Sequence, residues 1–198
     1  IQKIFPYLGV RFIAVNDNYD SAKGNDVEDS IMLPFKNLMN DSYSRDLSVK
    51  VRSQFEIKRK RGEFIGSFAV YGYKKNPENK NQLVVDEYAA AVVRDIFKWR
   101  LSGMSNEKIA ERLNEQGVLS PAEYKRSLGL RYQSGFHVEK QAMWSPVAIG
   151  RILSNQTYLG WVVQGKRTTP NHKVKKVIEK NPDEWVIVRD THEAIITE

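Results

Sequence analysis

Residues 46–62 read DLSVKVRSQFEIKRKRG, and the reading of this stretch decides the fold. Leu47, Val51 and Phe55 recur every four residues, which places them on one face of an α-helix as a narrow apolar stripe, with Lys50, Arg52 and Lys58 displaced around the cylinder. The run then turns wholly basic in Lys58-Arg59-Lys60-Arg61 and stops at Gly62. Glycine suits the left-handed position that ends helices, and cations suit the negative end of the helix dipole. From Lys50 to Arg61 six basic residues stand against one acid, Glu56, a local charge of +5. Two readings fit: a solvated helix terminus before a linker, or a surface for a polyanion, of which the phosphate backbone is the usual one.

The rest of the chain frames that choice. Its 198 residues fit one domain or two small ones, and a 41% hydrophobic content is enough for real cores. The net charge of +7 is unevenly placed: residues 1–49 carry five basic and seven acidic side chains, so the excess begins at the basic helix. Nucleic acid is the partner this favours, with an anionic membrane surface as the competitor. Negative mean hydropathy and the absence of an apolar run of roughly 18 residues argue against a membrane span. With no cysteine, disulfides and thiolate zinc sites are excluded within these residues, which fits a reducing compartment. His137, His172 and His192 lie far apart without metal-ligand spacing and read as surface or packing residues. No metal and no cofactor is expected.

Upstream, Val10 to Val15 (VRFIAV) predicts a buried strand bounded by Gly9 and Asn16-Asp17-Asn18. A lone buried strand needs sheet neighbours, and none is legible before the helix, so the expectation is an α/β domain whose earlier strands precede Ile1. Asn25 is a plausible N-cap, with Asp26, Glu28 and Asp29 in the first turn. Ile31, Phe35, Leu38 and Met39 continue the amphipathic pattern, and Pro34 inside it is expected to bend the axis. The whole predicts a helix over about 26–61, roughly 50 Å long at 1.5 Å per residue.

Past Gly62, the sequence from Gly66 to Gln82 reads as a turn-rich connection, with short strand pairing around Phe68 to Tyr73 and Leu83 to Val85. Tyr71 and Tyr73 fit either a nucleic acid contact or an anchor of the linker to its own domain. Asp86 caps a helix to Leu101 with a Tyr88, Val92, Ile96, Trp99 stripe; Ser105 caps a second with Ile109 and Leu113. This pair fits a helix-turn-helix or a purely structural hairpin, and Glu107, Glu111 and Glu115 on one face of the second helix would repel DNA. Pro121 to Leu128 reads as a short helix, 129–143 as a loop, and Ser145-Pro146 as a strong helix start. Tyr158 to Val163 reads as a strand and Glu184 to Arg189 as the return strand of a hairpin. Between them, Gln164 to Lys180 carries six basic residues and one acid, either an arm against phosphate or a solvated loop.

The order SVKVRSQFEIKRKRGEFIG, YGYKK, VVDEYAAAVVRDIFKWRLSGMSNEKIAERLNEQGVLSP, WSPVAIGRILSNQTYLGWVVQGK and WVIVRDTHEAII resembles the large serine recombinases of transposons and phage integrases across nearly the whole chain. The resemblance implies an α+β, mainly helical fold. Residues 1–61 would be the end of a resolvase-like catalytic domain with its long helix, and 62–198 a mixed helical recombinase domain with short strands. It also implies strand cleavage by a serine hydroxyl through a 5′-phosphoserine link, exchange within a tetramer built from dimers, and resealing without ATP or metal. The setting would be the bacterial cytoplasm, on DNA. The family's nucleophile stands in a Tyr-x-Arg-x-Ser strand end, which this sequence lacks, so the expected nucleophile lies upstream of Ile1 and the fragment is expected to be inactive. Lys50 aligns where relatives carry arginine near the active site and is the one catalytic candidate; it keeps the charge without the bidentate fork. A zinc-ribbon domain follows in the family, and with no cysteine in the sequence none is expected within these residues.

The expected partner is double-stranded DNA at attachment or transposon-end sites. Candidate contacts are Arg52, Lys58, Arg59, Lys60, Arg61, Lys74, Lys75, Arg151, Lys166, Arg167, Lys173, Lys175 and Lys176, which supply charge and register and leave base readout unassigned. The competing readings are a helix-turn-helix regulator without chemistry, which needs a self-contained N-terminal domain, and an RNA- or membrane-surface adaptor using the two basic runs.

Overall fold

The helix anticipated from residues 46–62 is one continuous element, α2 (Val27–Lys60), and it runs through Pro34 without interruption. A computed structural model describes residues 4–15, 19–21, 27–132 and 141–197, so the cap Asn25, the acid Asp26 and His137 lie outside the described residues. The chain divides into two compact units, Ile1–Arg52 with Asn171–Val174, and Ser53–Pro170 with Lys175–Glu198.

In the first unit a short helix α1 (Ile4–Tyr7) precedes two two-residue strands, β1 (Ile13–Ala14) and β2 (Tyr19–Asp20), paired antiparallel. This corrects the buried-strand reading of Val10 to Val15. The strand has a neighbour in the next segment, and Val10, Ile13 and Val15 are exposed. The physical reason lies in Arg11, whose Nε donates to Asp20 Oδ1 at 2.9 Å, and in Phe12, which packs on the Phe5 ring at 5.9 Å, so a charged cross-strand pair and one aromatic contact hold the segment without a core. On α2, Phe35, Leu38 and Met39 are likewise exposed, as are Leu47, Val51 and, in the second unit, Phe55.

The second unit is built around helices set by their caps. Asp86, Ser105, Ser120 and Ser145 each accept a backbone N–H three residues on, opening α3 (Glu87–Leu101), α4 (Asn106–Glu115), α5 (Pro121–Ser127) and α6 (Pro146–Leu153). α4 packs chiefly on α6, and both pack on α3. The buried face of α3 is Ala89, Ala90, Val93 and Ile96, rotated from the expected stripe, and Tyr88 is exposed. The core continues through Ile109, Leu113, Ile149 and Trp144, whose Nε1 donates to the Val118 carbonyl at 2.9 Å. Burying each of the aliphatic side chains contributes about 1.5–3 kcal/mol.

Two short ribbons frame the helices. β3 (Tyr73–Lys75) pairs antiparallel with β4 (Leu83–Val85), a little later in the chain than expected. Tyr71 and Tyr73 are buried, and the Tyr73 hydroxyl donates to the Glu193 carbonyl at 2.9 Å, so both anchor the linker to its own domain. The anticipated strand at Tyr158 to Val163 is a 3-10 turn, Gln156–Leu159, followed by β5 (Val162–Gln164). Gly160 at φ +81° ends the turn and prevents the apolar run from extending as one strand. Beyond it β6 (Arg167–Thr168) pairs with β7 (Ile178–Glu179), and β5 pairs antiparallel with β8 (Val186–Val188). Among the described residues no helix is long and apolar enough to cross a membrane.

Candidate nucleic-acid interface

The basic end of α2 closes on Gly62, whose φ of +72° is the left-handed conformation that ends a helix; the Glu63 N–H then returns to the Lys58 carbonyl at 3.0 Å. A Cβ on Gly62 would stand 2.6 Å from Thr191 Cγ2 and 3.0 Å from Val188 Cγ1, so the glycine also lets the helix end approach β8 closely. Gln164 fixes the join from the other side: its side chain accepts from Ile65 N–H at 3.0 Å and donates to the Glu63 carbonyl at 2.8 Å. The helix terminus and the β5–β8 ribbon are therefore one local structure, assembled from residues far apart in the sequence.

The candidate cations divide by what they already touch. Lys60 pairs with Glu56 at 3.0 Å, and Lys58 lies 3.9 Å from Glu63. Glu56 is held below the usual carboxylate range, chiefly by its bond to Lys60, with Lys180 and Arg59 adding to the field. Arg59 is half-buried beside Gly165, its Nε without a hydrogen-bond partner among the described residues. The two basic runs, Lys50 to Arg61 and Gln164 to Lys180, thus meet through Arg59, Gly165 and Lys180. Arg61 is exposed and opens onto a polar cavity of about 360 Å³ that it shares with Asn79, Asn81, Gln82, Arg189, Thr191 and His192.

In the arm, Arg167 pairs with Glu179 at 3.1 Å across β6–β7, while Lys175 and Lys176 are exposed. Lys166 stacks over the Trp185 ring at 4.6 Å, and Arg189 over Trp161 at 4.2 Å. These two stacks mark the ends of the β5–β8 ribbon, with exposed Ile187 opposite Val163 between them. Sequence reading missed Arg189, Trp161 and Trp185; the alternation of Trp161 with Val163, and of Ile187 with Arg189, was the available signal. Lys74 is exposed on β3, and Lys75 lies over the Phe64 ring at 5.8 Å. Arg151 is exposed on α6, with no ion-pair partner among the described residues.

In the first unit, Lys50 and Arg52 are exposed on α2. Lys173 pairs with Asp41 at 2.9 Å, and His172 Nε2 lies 3.3 Å from the same carboxylate. Of the other histidines, His192 is half-buried and turned inward, with Nε2 2.8 Å from the Thr157 carbonyl and Nδ1 2.8 Å from Thr191 Oγ1. Among the described residues no group of three or more His, Cys, Asp or Glu side chains is placed to hold a metal ion.

The second unit is thus a helix-capped, mainly helical α+β domain in which cations from a helix end and a ribbon lie close together. The family model described as Recombinase matches residues 87–198, more than half of the chain. The chain belongs to the recombinase family, in agreement with the motif order that ends in WVIVRDTHEAII. Two solved structures are similar to it. One is a crystal structure of an LSR–DNA complex, 18% identical, covering 75% of this chain and 34% of that one at a TM-score of 0.42. The other comes from work on the sequence requirements of the Listeria innocua prophage attP site, 19% identical, covering 74% and 46% at a TM-score of 0.41. The chain spans between about a third and a half of the length of these two. No curated protein matches it.

Proposed function

We propose that this chain is the DNA-binding portion of a site-specific serine recombinase, with residues 1–61 belonging to the catalytic domain and its long helix and residues 62–198 forming the recombinase domain. The observation that carries this reading is the meeting of the two +5 runs within a chain of the recombinase family. A surface that gathers cations from a helix end and a ribbon matches a phosphate backbone, which carries one charge per roughly 1.7 Å of duplex. Arg59, Lys60, Arg61, Lys166, Arg167, Lys175 and Lys176 neutralise phosphates there; Arg52, Lys58, Lys74, Lys75, Lys173 and Arg151 complete the set. Double-stranded DNA is the partner, and the complete recombinase associates into dimers and tetramers.

The chemistry is cleavage and rejoining through a 5′-phosphoserine. No Tyr-x-Arg-x-Ser occurs in the sequence, so the attacking serine is supplied by residues outside it. Lys50, exposed on α2, reaches the phosphoryl group as an electrostatic aid, and Lys50→Ala in the complete recombinase is expected to slow strand cleavage. The direct test is titration of the 198-residue chain with duplexes of about 50 base pairs at several salt concentrations. Affinity that falls steeply and linearly on a log scale with salt supports the reading, because each phosphate contact releases counterion. Salt-insensitive binding, or none, refutes it.

A further inference from the structure

The α3–α4 pair has the form of a helix-turn-helix, but its second helix is poorly matched to DNA. α4 buries Ile109, Ala110 and Leu113 and leaves Glu107, Glu111 and Glu115 exposed along one face. The one arginine on its outer surface, Arg112, is tied back over the Trp99 ring at 4.4 Å. Three carboxylates directed into a groove walled by phosphates would be repelled by it. α3 offers no better face, since Glu87 is exposed and Asp95 accompanies Lys98.

The third helix of the same cluster has the opposite character. α6, PVAIGRIL, contains no acid. It turns Ile149 and Ile152 inward against α3 and α4 and leaves Val147, Arg151 and Ser154 outward, at successive steps of four and three residues. Val147 is 62% exposed, a large cost in open apolar surface for a helix of two turns. Ser154 spends its hydroxyl on the Gly150 carbonyl at 2.9 Å, which leaves Arg151 as the free polar group on the stripe. Among the described residues Arg151 has neither an ion-pair partner nor a ring beneath it, unlike Arg112, Arg126, Arg167 and Arg189. At eight residues the helix is roughly 12 Å long, a size that the major groove admits.

We infer that α6, and not the second helix of the hairpin, enters the major groove, and that Arg151 is a specificity-determining residue paired through its guanidinium fork to N7 and O6 of a guanine. Val147, one turn earlier, rests on the methyl group of a thymine roughly two base pairs away. This rests on the DNA-binding reading given above, and it turns Arg151 from a phosphate contact into a base contact.

Arg151→Lys separates the two roles, because lysine keeps the charge and loses the fork. The site is first selected by the wild-type 198-residue chain from random duplexes, and affinities are then measured for every single-base change in the winner. The expected result for Arg151→Lys is loss of discrimination at one G·C pair, by about 5- to 150-fold. At the other positions of the site the order of base preference should be unchanged. Val147→Ala should lower discrimination at a nearby T·A pair, and replacing that thymine by uracil should reproduce the loss in the wild type. Uniform weakening on all duplexes, or an unchanged site, overturns the inference while DNA binding stands. A wild-type chain that binds duplexes without sequence preference overturns it in the same way, and one that binds no duplex removes the DNA-binding reading itself.

Discussion

Arg59 lies against the backbone of Gly165: a Cβ added to that glycine would stand 3.7 Å from Arg59 Cδ. The contact sets the end of α2 beside Lys166, the first cation of the second basic run, so on the proposed DNA-binding reading the two charge clusters would share one stretch of phosphates. Arg59→Ala and Lys166→Ala are each expected to weaken binding to any duplex and to reduce the slope of log affinity against log salt by about 1. Lys60→Ala should reduce it less, since Lys60 already has Glu56 at 3.0 Å. Fluorescence anisotropy between about 50 and 200 mM salt measures this. A slope that responds to Arg59 and ignores Lys166 would show that the runs do not share a ligand.

The Tyr158 hydroxyl donates to the Tyr71 carbonyl at 2.8 Å, both groups being buried. This bond joins the 3-10 turn before β5 to the linker before β3. In Tyr158→Phe the carbonyl loses its phenol donor while the ring remains, so a loss of about 1–3 kcal/mol is expected from desolvation. Urea unfolding with an unchanged m-value checks it; a change below a few tenths would mean that water replaces the phenol.

Two glycines with similar backbones separate strain from packing. Gly72 has φ +97°, and a Cβ there would stand 2.9 Å from Ile195 Cδ1 and 3.2 Å from Val93 Cγ2; Gly103 has φ +88° and nothing within 4 Å. Gly103→Ala is expected to cost only the left-handed backbone, about 1–2 kcal/mol. Gly72→Ala adds the overpacking of a core contact, about 1–3 kcal/mol more. Parallel denaturant curves test the ordering, and equal losses would remove the packing contribution.

The carboxylate of Asp41 on α2 holds Lys173 at 2.9 Å and His172 at 3.3 Å, and those bonds, Lys173's first, keep it below its usual range. Asp41→Asn removes the charge on which Lys173 and the His172 ring converge. Trypsin is then expected to cut after Lys173 faster than in the wild type, with time-resolved mass spectrometry as the readout. Unchanged cleavage would show that the tip of the arm is held by other contacts.

Local chemistry was the legible part of this chain. Asp86, Ser105 and Ser145 announce their helices because a cap is satisfied within three residues, and the structure places these three as read, while Ser120, not singled out in the sequence, caps α5 in the same way. Burial was less legible because it depends on partners distant in sequence. Val10 to Val15 looked like core, yet Arg11 and Asp20 make it a charged two-stranded turn. On α3 the small Ala89 and Ala90 carry the buried face, and the bulky Tyr88 drew the expected stripe to its neighbour. The return of β8 beside β5 follows the return-strand reading of Glu184 to Arg189, whereas the approach of Arg59 to Gly165 and the stacking of Arg189 on Trp161 are side-chain contacts that no local pattern specifies.

His192 gives the fold a pH dependence whose sign follows from its surroundings. Burial lowers its pKa from the ordinary value, partly opposed by the bond to the Thr157 carbonyl. In the neutral ring Nε2–H donates to that carbonyl, while Nδ1 lies 2.8 Å from Thr191 Oγ1, a hydroxyl that also lies 3.1 Å from the Gly160 carbonyl. The unfolded chain protonates first as pH falls, so the contribution is fully present above about pH 6.5 and is lost as pH drops through the folded value. Urea midpoints measured from about pH 7.5 to 5 should therefore fall on the acid side. In His192→Gln that fall should be smaller, whatever the variant's absolute stability. A midpoint that rises as the solution is acidified would mean that the ring is charged in the folded protein, paired with a group such as Glu193 next to it in the chain.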